Sequence, residues 1–233
     1  MINGKRCIGI IPARGGSKRL PGKNTMMFYG KPLIFWSIEA AIKSEFIDCV
    51  VVSTDDEETI DISKKFGASI PFVRPDIIST DSATSIEVVR HAIDFLKQSG
   101  DCYDYVVVLQ PTSPLRTSEH VDDAIHEFVD KNANCVVSVT KAGHPTEWIN
   151  EVDDSGSLKN FILDDKKKSQ DYSDKYILNG AIYIIKESLI SEYNSMIIPK
   201  KGFAYIMKQK DSIDIDNFFD LQVAECFMKI RYA

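Results

Sequence analysis

The stretch "CVVVSTDDEETIDISKKFG", residues 49–67, decides the fold. Its first half is apolar at consecutive positions, so a strand there is buried on both faces. Residues 57–66 switch to helical spacing and stop at Gly67, a residue type suited to closing a helix. Between them lie Asp55 and Asp56, read as favourable charge at the start of that helix. A doubly buried strand that feeds an amphipathic helix is the unit of a parallel sheet covered on both sides.

The unit recurs in both directions. Residues 7–11 read as a strand ahead of a helix over 32–44. The helix over 84–97 opens with Thr84 and Glu87 at capping-box spacing and carries Ile86, Val89, Ile93 and Leu96 on one face. "YVVVL" at 105–109 is another buried strand. The helix over 118–131 puts Val121, Ala124, Ile125, Phe128 and Val129 toward the core. Strands over 136–140, 177–185 and 203–208 and a helix over 218–230 complete an α/β chain with a mainly parallel sheet. The rhythm breaks only at residues 142–176, polar and turn-rich with hairpin-like pieces, read as a flap or dimer arm within one domain, 1–233.

The chain has 233 residues, 44% hydrophobic and 27% charged, with a net charge of −6. That supports one well-buried core and argues against non-specific nucleic-acid binding, which needs a basic surface. No apolar run reaches the roughly 18–20 residues of a membrane span, and "MINGKR" has no cleavage signature, so a cytoplasmic protein is expected. Cys7, Cys49, Cys102, Cys135 and Cys226 show no zinc spacing and are expected to be buried, reduced thiols.

In a parallel sheet, ligands bind where the strands end, here the loops after Ile11, Thr54 and Leu109. The first, "PARGGSKRLPGKN", pairs the small Gly15 and Gly16, whose amides suit phosphate oxygens, with Arg14, Lys18, Arg19 and Lys23. It matches neither GxxxxGK[ST] nor GxGxxG, and a solvated basic loop is the competing reading. The third, "LQPTSPLR", is stiffened by two prolines and offers Gln110, Thr112, Ser113 and Arg116 to a polar ligand. In "DSIDIDNFFDL", Asp214 and Asp216 flank one residue of extended chain, so both carboxylates point the same way. Such a pair near phosphates suits Mg²⁺; N-capping by Asp216 is the competing reading. His91, His120, His126 and His144 have no metal-ligand spacing, and none is assigned a catalytic role. Trp36 and Trp148 read as packing residues, and Lys166–Lys168 as a solvated run or a guide for an anionic substrate.

In order, "IIPARGGSKRLPGKN", "VVVSTDDEE", "RPDIISTDSATS", "LQPTSPLR", "NGAIYI" and "SIDIDNFFDL" resemble the acylneuraminate cytidylyltransferases, or CMP-sialic acid synthetases, from about residue 8 to 225. The resemblance implies a Rossmann-like nucleotidyltransferase three-layer sandwich with a small dimerisation insertion. It implies that CTP and Mg²⁺ activate an acidic nine-carbon 2-keto sugar, N-acetylneuraminate, legionaminate or pseudaminate. The C2 hydroxyl attacks the α-phosphate and pyrophosphate leaves. Arg14, Lys23 and Asp216 are then catalytic. Gly15, Gly16, Ser17, Lys18, Asn24, Arg74, Ala83 and Ser85 join Arg14 and Lys23 around the nucleotide. Gln110, Thr112, Asn179 and Tyr183 meet the sugar, and Asp214 and Asp216 bind the metal. A homodimer is implied, with the insertion reaching the partner's site. The chain departs from the pattern at Arg19, where a glycine is usual, and at "KKSQDYSDKY" (167–176), which lacks the "RRQ-x-LP" common among N-acetylneuraminate enzymes. The alternatives are a CMP-Kdo synthetase and a non-catalytic nucleotide-binding regulator.

Overall fold

The computed structural model of the chain describes residues 1–158 and 168–232. Its main elements are β1 (Cys7–Pro12), the short strands β2 (Met27–Phe28) and β3 (Lys31–Pro32), α1 (Leu33–Ile42), β4 (Cys49–Ser53), α2 (Glu57–Lys65), α3 (Ser85–Gln98), β5 (Tyr105–Val108), α4 (Ser118–Asp130), β6 (Cys135–Lys141), β7 (Tyr176–Lys186), β8 (Gly202–Met207) and α5 (Phe218–Tyr232). Six strands form one sheet in the order β4-β1-β5-β7-β6-β8. β1 runs parallel to β4 and β5, and β6 parallel to β8. β7 is antiparallel to both β5 and β6. The sheet is thus mostly parallel, as the doubly apolar strands require.

Alternation along each strand divides the core into two layers. Cys7, Ile11, Val50, Val52 and Val107 face α1 and α4, while Ile8, Ile10, Val51, Val106 and Val108 face α3. All are buried, and each large aliphatic side chain contributes about 1.5–3 kcal/mol by leaving water. A third cluster packs α5 through Leu221, Ala224 and Met228 onto Phe28, Leu33, Leu115 and Ile215. Gly67 closes α2 at φ +90°, a conformation that suits glycine alone. The β2–β3 hairpin was not anticipated; Tyr29 and Gly30 turn it with φ 47° and 78°, both positive as a type I′ turn requires.

The chain leaves β1 for β4 across the α1 face and reaches β5, on the other side of β1, across the α3 face. That reversal opens a crevice at the carboxyl ends of β1 and β5.

Residues 142–175 leave the sheet between β6 and β7, closed at the base by the Lys141–Tyr176 pairing and an Ala142 N–H bond to the Lys175 carbonyl, 2.8 Å. Their described part holds two 3₁₀ turns, Thr146–Trp148 and Ser169–Asp171, and no hairpin. Of the expected lysine run, Lys166 and Lys167 lie outside the described residues. Trp36 packs as expected, against Phe28 and Phe35, whereas Trp148 meets the rings of His144 and Tyr172 but is exposed. Cys7 and Cys135 are buried and Cys49 half-buried, but Cys102 and Cys226 are exposed, contrary to expectation. All five are free thiols. No helix among the described residues is long and apolar enough to cross a membrane.

Candidate active site

A cleft of about 280 Å³ opens where the sequence places the ligand loops. Its wall holds Arg14, Ser17, Lys23 and Asn24 from the loop after β1, and Arg74, Ala83 and Ser85 from the approach to α3. Gln110 and Thr112 after β5, and Asp214 and Asp216 before α5, complete it. Four segments far apart in sequence therefore meet around one space.

The cations of the first loop are held by carboxylates. Arg14 lies 2.6 Å from Asp81, which also pairs with Lys18. Those contacts hold the Asp81 carboxyl below its usual pKa, Lys18 more than Arg14. Lys23 donates to the Ile215 carbonyl at 2.9 Å and to Asp216 at 3.2 Å; Arg19 meets the other oxygen of Asp216 at 3.0 Å. Two anions thus occupy positions that a polyphosphate chain could take over. Lys18 points to solvent and lies off the cleft wall. The Gly15 amide is not bare, as the sequence suggested, because it donates to Asp55 at 3.0 Å.

Asp214 and Asp216 share the cleft because Ile215 between them is fully buried in the third cluster. The Ile215 amide bonds to the Thr112 carbonyl at 2.8 Å, which ties this segment to the β5 loop. Solvent reaches Asp214 at the cleft mouth, yet the crowding walls raise its pKa, the Thr112 hydroxyl pulling down and Asp216 pushing up. Asp216 does not cap α5. Asn217 and Asp220 do, exchanging side-chain bonds with each other's amides at 3.1 and 3.0 Å. The competing reading of Asp216 falls, and its carboxylate is left to the cleft. Among the described residues no cluster of three or more His, Cys, Asp or Glu could hold a metal unaided. Two carboxylates facing a cation-lined cleft do fit Mg²⁺, which takes its remaining ligands from water and phosphate.

Arg74 is buried, bonded to the Ser53 hydroxyl at 3.0 Å and to the Ser53 carbonyl. Burial pushes its pKa down to about 10, with Asp55 opposing and Arg14 adding. Ala83 and Ser85 flank Thr84, whose capping box with Glu87 starts α3. Asp56, rather than Asp55, caps α2 through Thr59, at 2.8 Å to its amide.

Three expected ligand groups are buried and hydrogen-bonded within the protein. Asn179 is buried, its amide spent on Ser138, Ala181 and Ser212 at 2.6, 3.2 and 3.0 Å. Ser113 is buried and donates to the Asn179 carbonyl at 3.3 Å. Arg116 is 2% exposed and binds the carbonyls of Gln110, Ser113 and Ala181 and the Ser37 hydroxyl. Burial lowers its pKa to about 9. Tyr183 is half-buried beside the site, its pKa raised by burial and by Asp214. Gly180, at φ +71°, brings bare backbone under Gln110; a Cβ there would sit 2.7 Å from the Gln110 oxygen.

The cytidylyltransferase family model matches residues 8–209. The chain belongs to that family. It is 37% identical over 94% of its length to an N-acylneuraminate cytidylyltransferase of Escherichia coli O18:K1:H7, of which it spans 51%. It is 34% identical to a pseudaminic acid cytidylyltransferase of Campylobacter jejuni and 36% identical to a CMP-N,N'-diacetyllegionaminic acid synthase of Legionella pneumophila, covering 96% and 97% of those proteins. Among solved structures, a CMP:2-keto-3-deoxy-manno-octonic acid synthetase complexed with CTP superimposes with a TM-score of 0.70 over 97% of this chain and 99% of that one. At 17% identity that likeness shows the nucleotidyltransferase fold alone. The cytidylyltransferase is thus an enzyme of the nucleotidyltransferase type.

Proposed function

We propose that the enzyme transfers the cytidylyl group of CTP to an acidic nine-carbon 2-keto sugar, releasing pyrophosphate. The observation that carries this reading is that one cleft brings together Arg14, Lys23 and Asn24, Arg74, Ala83 and Ser85, Gln110 and Thr112, and Asp214 and Asp216. An acceptor hydroxyl attacks the α-phosphorus, the bond to the β-phosphate oxygen breaks, and the hydroxyl proton passes to solvent. Such a transfer asks the protein mainly for position and positive charge.

Arg14 and Lys23 exchange Asp81 and Asp216 for phosphate oxygens and stabilise the charge that grows on them. Arg74, Ala83 and Ser85 receive the base and ribose, with Gly16 and Ser17 near the phosphates. Gln110, Thr112 and Tyr183 face the sugar acid. Asn179 acts one step back, by fixing β7 against β6. Asp214 and Asp216 would hold Mg²⁺, which supplies charge neutralisation at the phosphates when bound.

The named relatives differ in their sugar, and the Kdo alternative rests on fold likeness alone. The exposed apolar Ile177, Leu178, Phe203 and Ile206 on β7 and the edge strand β8 suit a second copy of the chain. A cytoplasmic homodimer with residues 142–176 as flap or arm is part of the same proposal. The test is pyrophosphate release from CTP and Mg²⁺ with N-acetylneuraminate, legionaminate, pseudaminate and Kdo in turn. Release with a nine-carbon acid is expected. Release with Kdo alone would move the enzyme to the other substrate class, and CTP binding without release from any acid would favour a regulator.

A further inference from the structure

The peptide between Arg14 and Gly15 is held from both ends by side chains of different segments. Its carbonyl accepts from the Asn24 amide at 2.8 Å, and its N–H donates to the Asp55 carboxylate at 3.0 Å. Asp55 belongs to the turn after β4, and that turn does a second job. The hydroxyl and carbonyl of Ser53 bind the Arg74 guanidinium, and the Thr54 carbonyl accepts the Arg74 amide at 2.8 Å. Asp55 also supports the charge on Arg74, the opposing influence to its burial. The contact with Gly15 is close: a Cβ on Gly15 would fall 2.9 Å from the Asp56 Cβ. Capping of α2 falls to Asp56, so helix formation does not account for Asp55.

We infer that Asp55 is a positioning residue that sets Arg14, at the phosphate end of the nucleotide site, against Arg74, at its base end. The inference rests on the proposed use of the cleft for CTP. A peptide pinned at both its carbonyl and its amide cannot rotate, so the direction in which Arg14 leaves the backbone is fixed before the nucleotide arrives. Preorganisation of this kind favours binding by removing the ordering that the ligand would otherwise impose. Small misplacements near a reacting phosphate are costly in rate.

The experiment compares wild type, Asp55→Ala and Asp55→Asn in steady-state turnover and in calorimetric CTP binding without acceptor. Asp55→Ala is expected to lower kcat/KM for CTP at least tenfold and to weaken CTP binding, with the KM for the sugar acid unchanged. Asp55→Asn keeps an oxygen acceptor for the Gly15 N–H and is expected to recover most of that loss. A merely structural role would raise both KM values together and lower Tm, with Asn no better than Ala; that result would overturn the inference. So would an Asp55→Ala enzyme that binds CTP as wild type does. The calorimetric arm separates the two claims. Wild type that binds CTP but releases no pyrophosphate contradicts the transfer reaction, and the Asp55→Ala affinity still decides the clamp.

Discussion

The loop after β1 and the loop after β5 leave neighbouring parallel strands in the same direction, and each carries an arginine that the sequence offers to a ligand. They are built in opposite ways. Arg14 is partly exposed and held by Asp81, which solvent also reaches. An ion pair of that kind contributes little to stability and is readily exchanged for another anion. Arg116 is sealed inside, with three carbonyls and one hydroxyl as partners. Its bonds hold residues 110 and 113 in shape and leave Gln110 and Thr112 to face the cleft. One loop keeps its charge available; the other spends its charge on its own geometry. Residue type alone does not separate the two cases, because burial and partner identity decide the role.

The largest expected effect tests the scaffold. Arg116→Ala would take one bond from each of three carbonyls and from the Ser37 hydroxyl and leave a cavity, at a cost of about 3–5 kcal/mol, read as a fall in the denaturation midpoint. A midpoint within experimental scatter of wild type would place Arg116 outside the scaffold. Arg14→Ala should do the reverse, leaving the midpoint nearly unchanged while removing about 2–4 kcal/mol of transition-state stabilisation. A kcat/KM for CTP less than tenfold below wild type would count against its role. Between the two stands the turn after β4. Asp56→Ala should cost about 1 kcal/mol through the lost cap of α2, with a smaller effect on turnover than Asp55→Ala. Equal kinetic effects at the two positions would erase the distinction drawn between them.

The smallest effect concerns pH. His120, at the start of α4 just beyond the second loop, has its pKa lowered by burial, with Asp211 opposing and Arg231 adding. The unfolded chain therefore binds this proton first as pH falls. Stability from the neutral imidazole is full above about pH 6.5 and declines as pH drops through the depressed folded pKa. An NMR titration should place His120 below the ordinary histidine range; a value at or above 6.5 would remove this contribution.

Much of the fold was legible because its signals are local. Runs such as Val50–Val52 and Val106–Val108, apolar at every position, report a sheet covered on both faces. Thr84 with Glu87, and Gly67, mark helix ends. The reversal of β7 was not legible, since an apolar run reads the same in either direction. Nor was the β2–β3 hairpin, whose strands are two residues each. In the cleft, the sequence placed the cationic loop, the prolyl loop and the aspartate pair. It missed what only long-range contacts decide. Asp81 meets Arg14 across 67 residues and Asp55 meets Gly15 across 40. The burial of Asn179, Ser113 and Arg116 likewise depends on β7 packing beside the β5 loop.

The most direct measurement follows a label. With CTP carrying ³²P at the α-position, Mg²⁺ and a nine-carbon sugar acid, the label is expected in a new sugar nucleotide, while label placed at the γ-position leaves as pyrophosphate. Loss of γ-label as inorganic phosphate, or of α-label as free CMP with the sugar acid unchanged, would contradict cytidylyl transfer by this cleft.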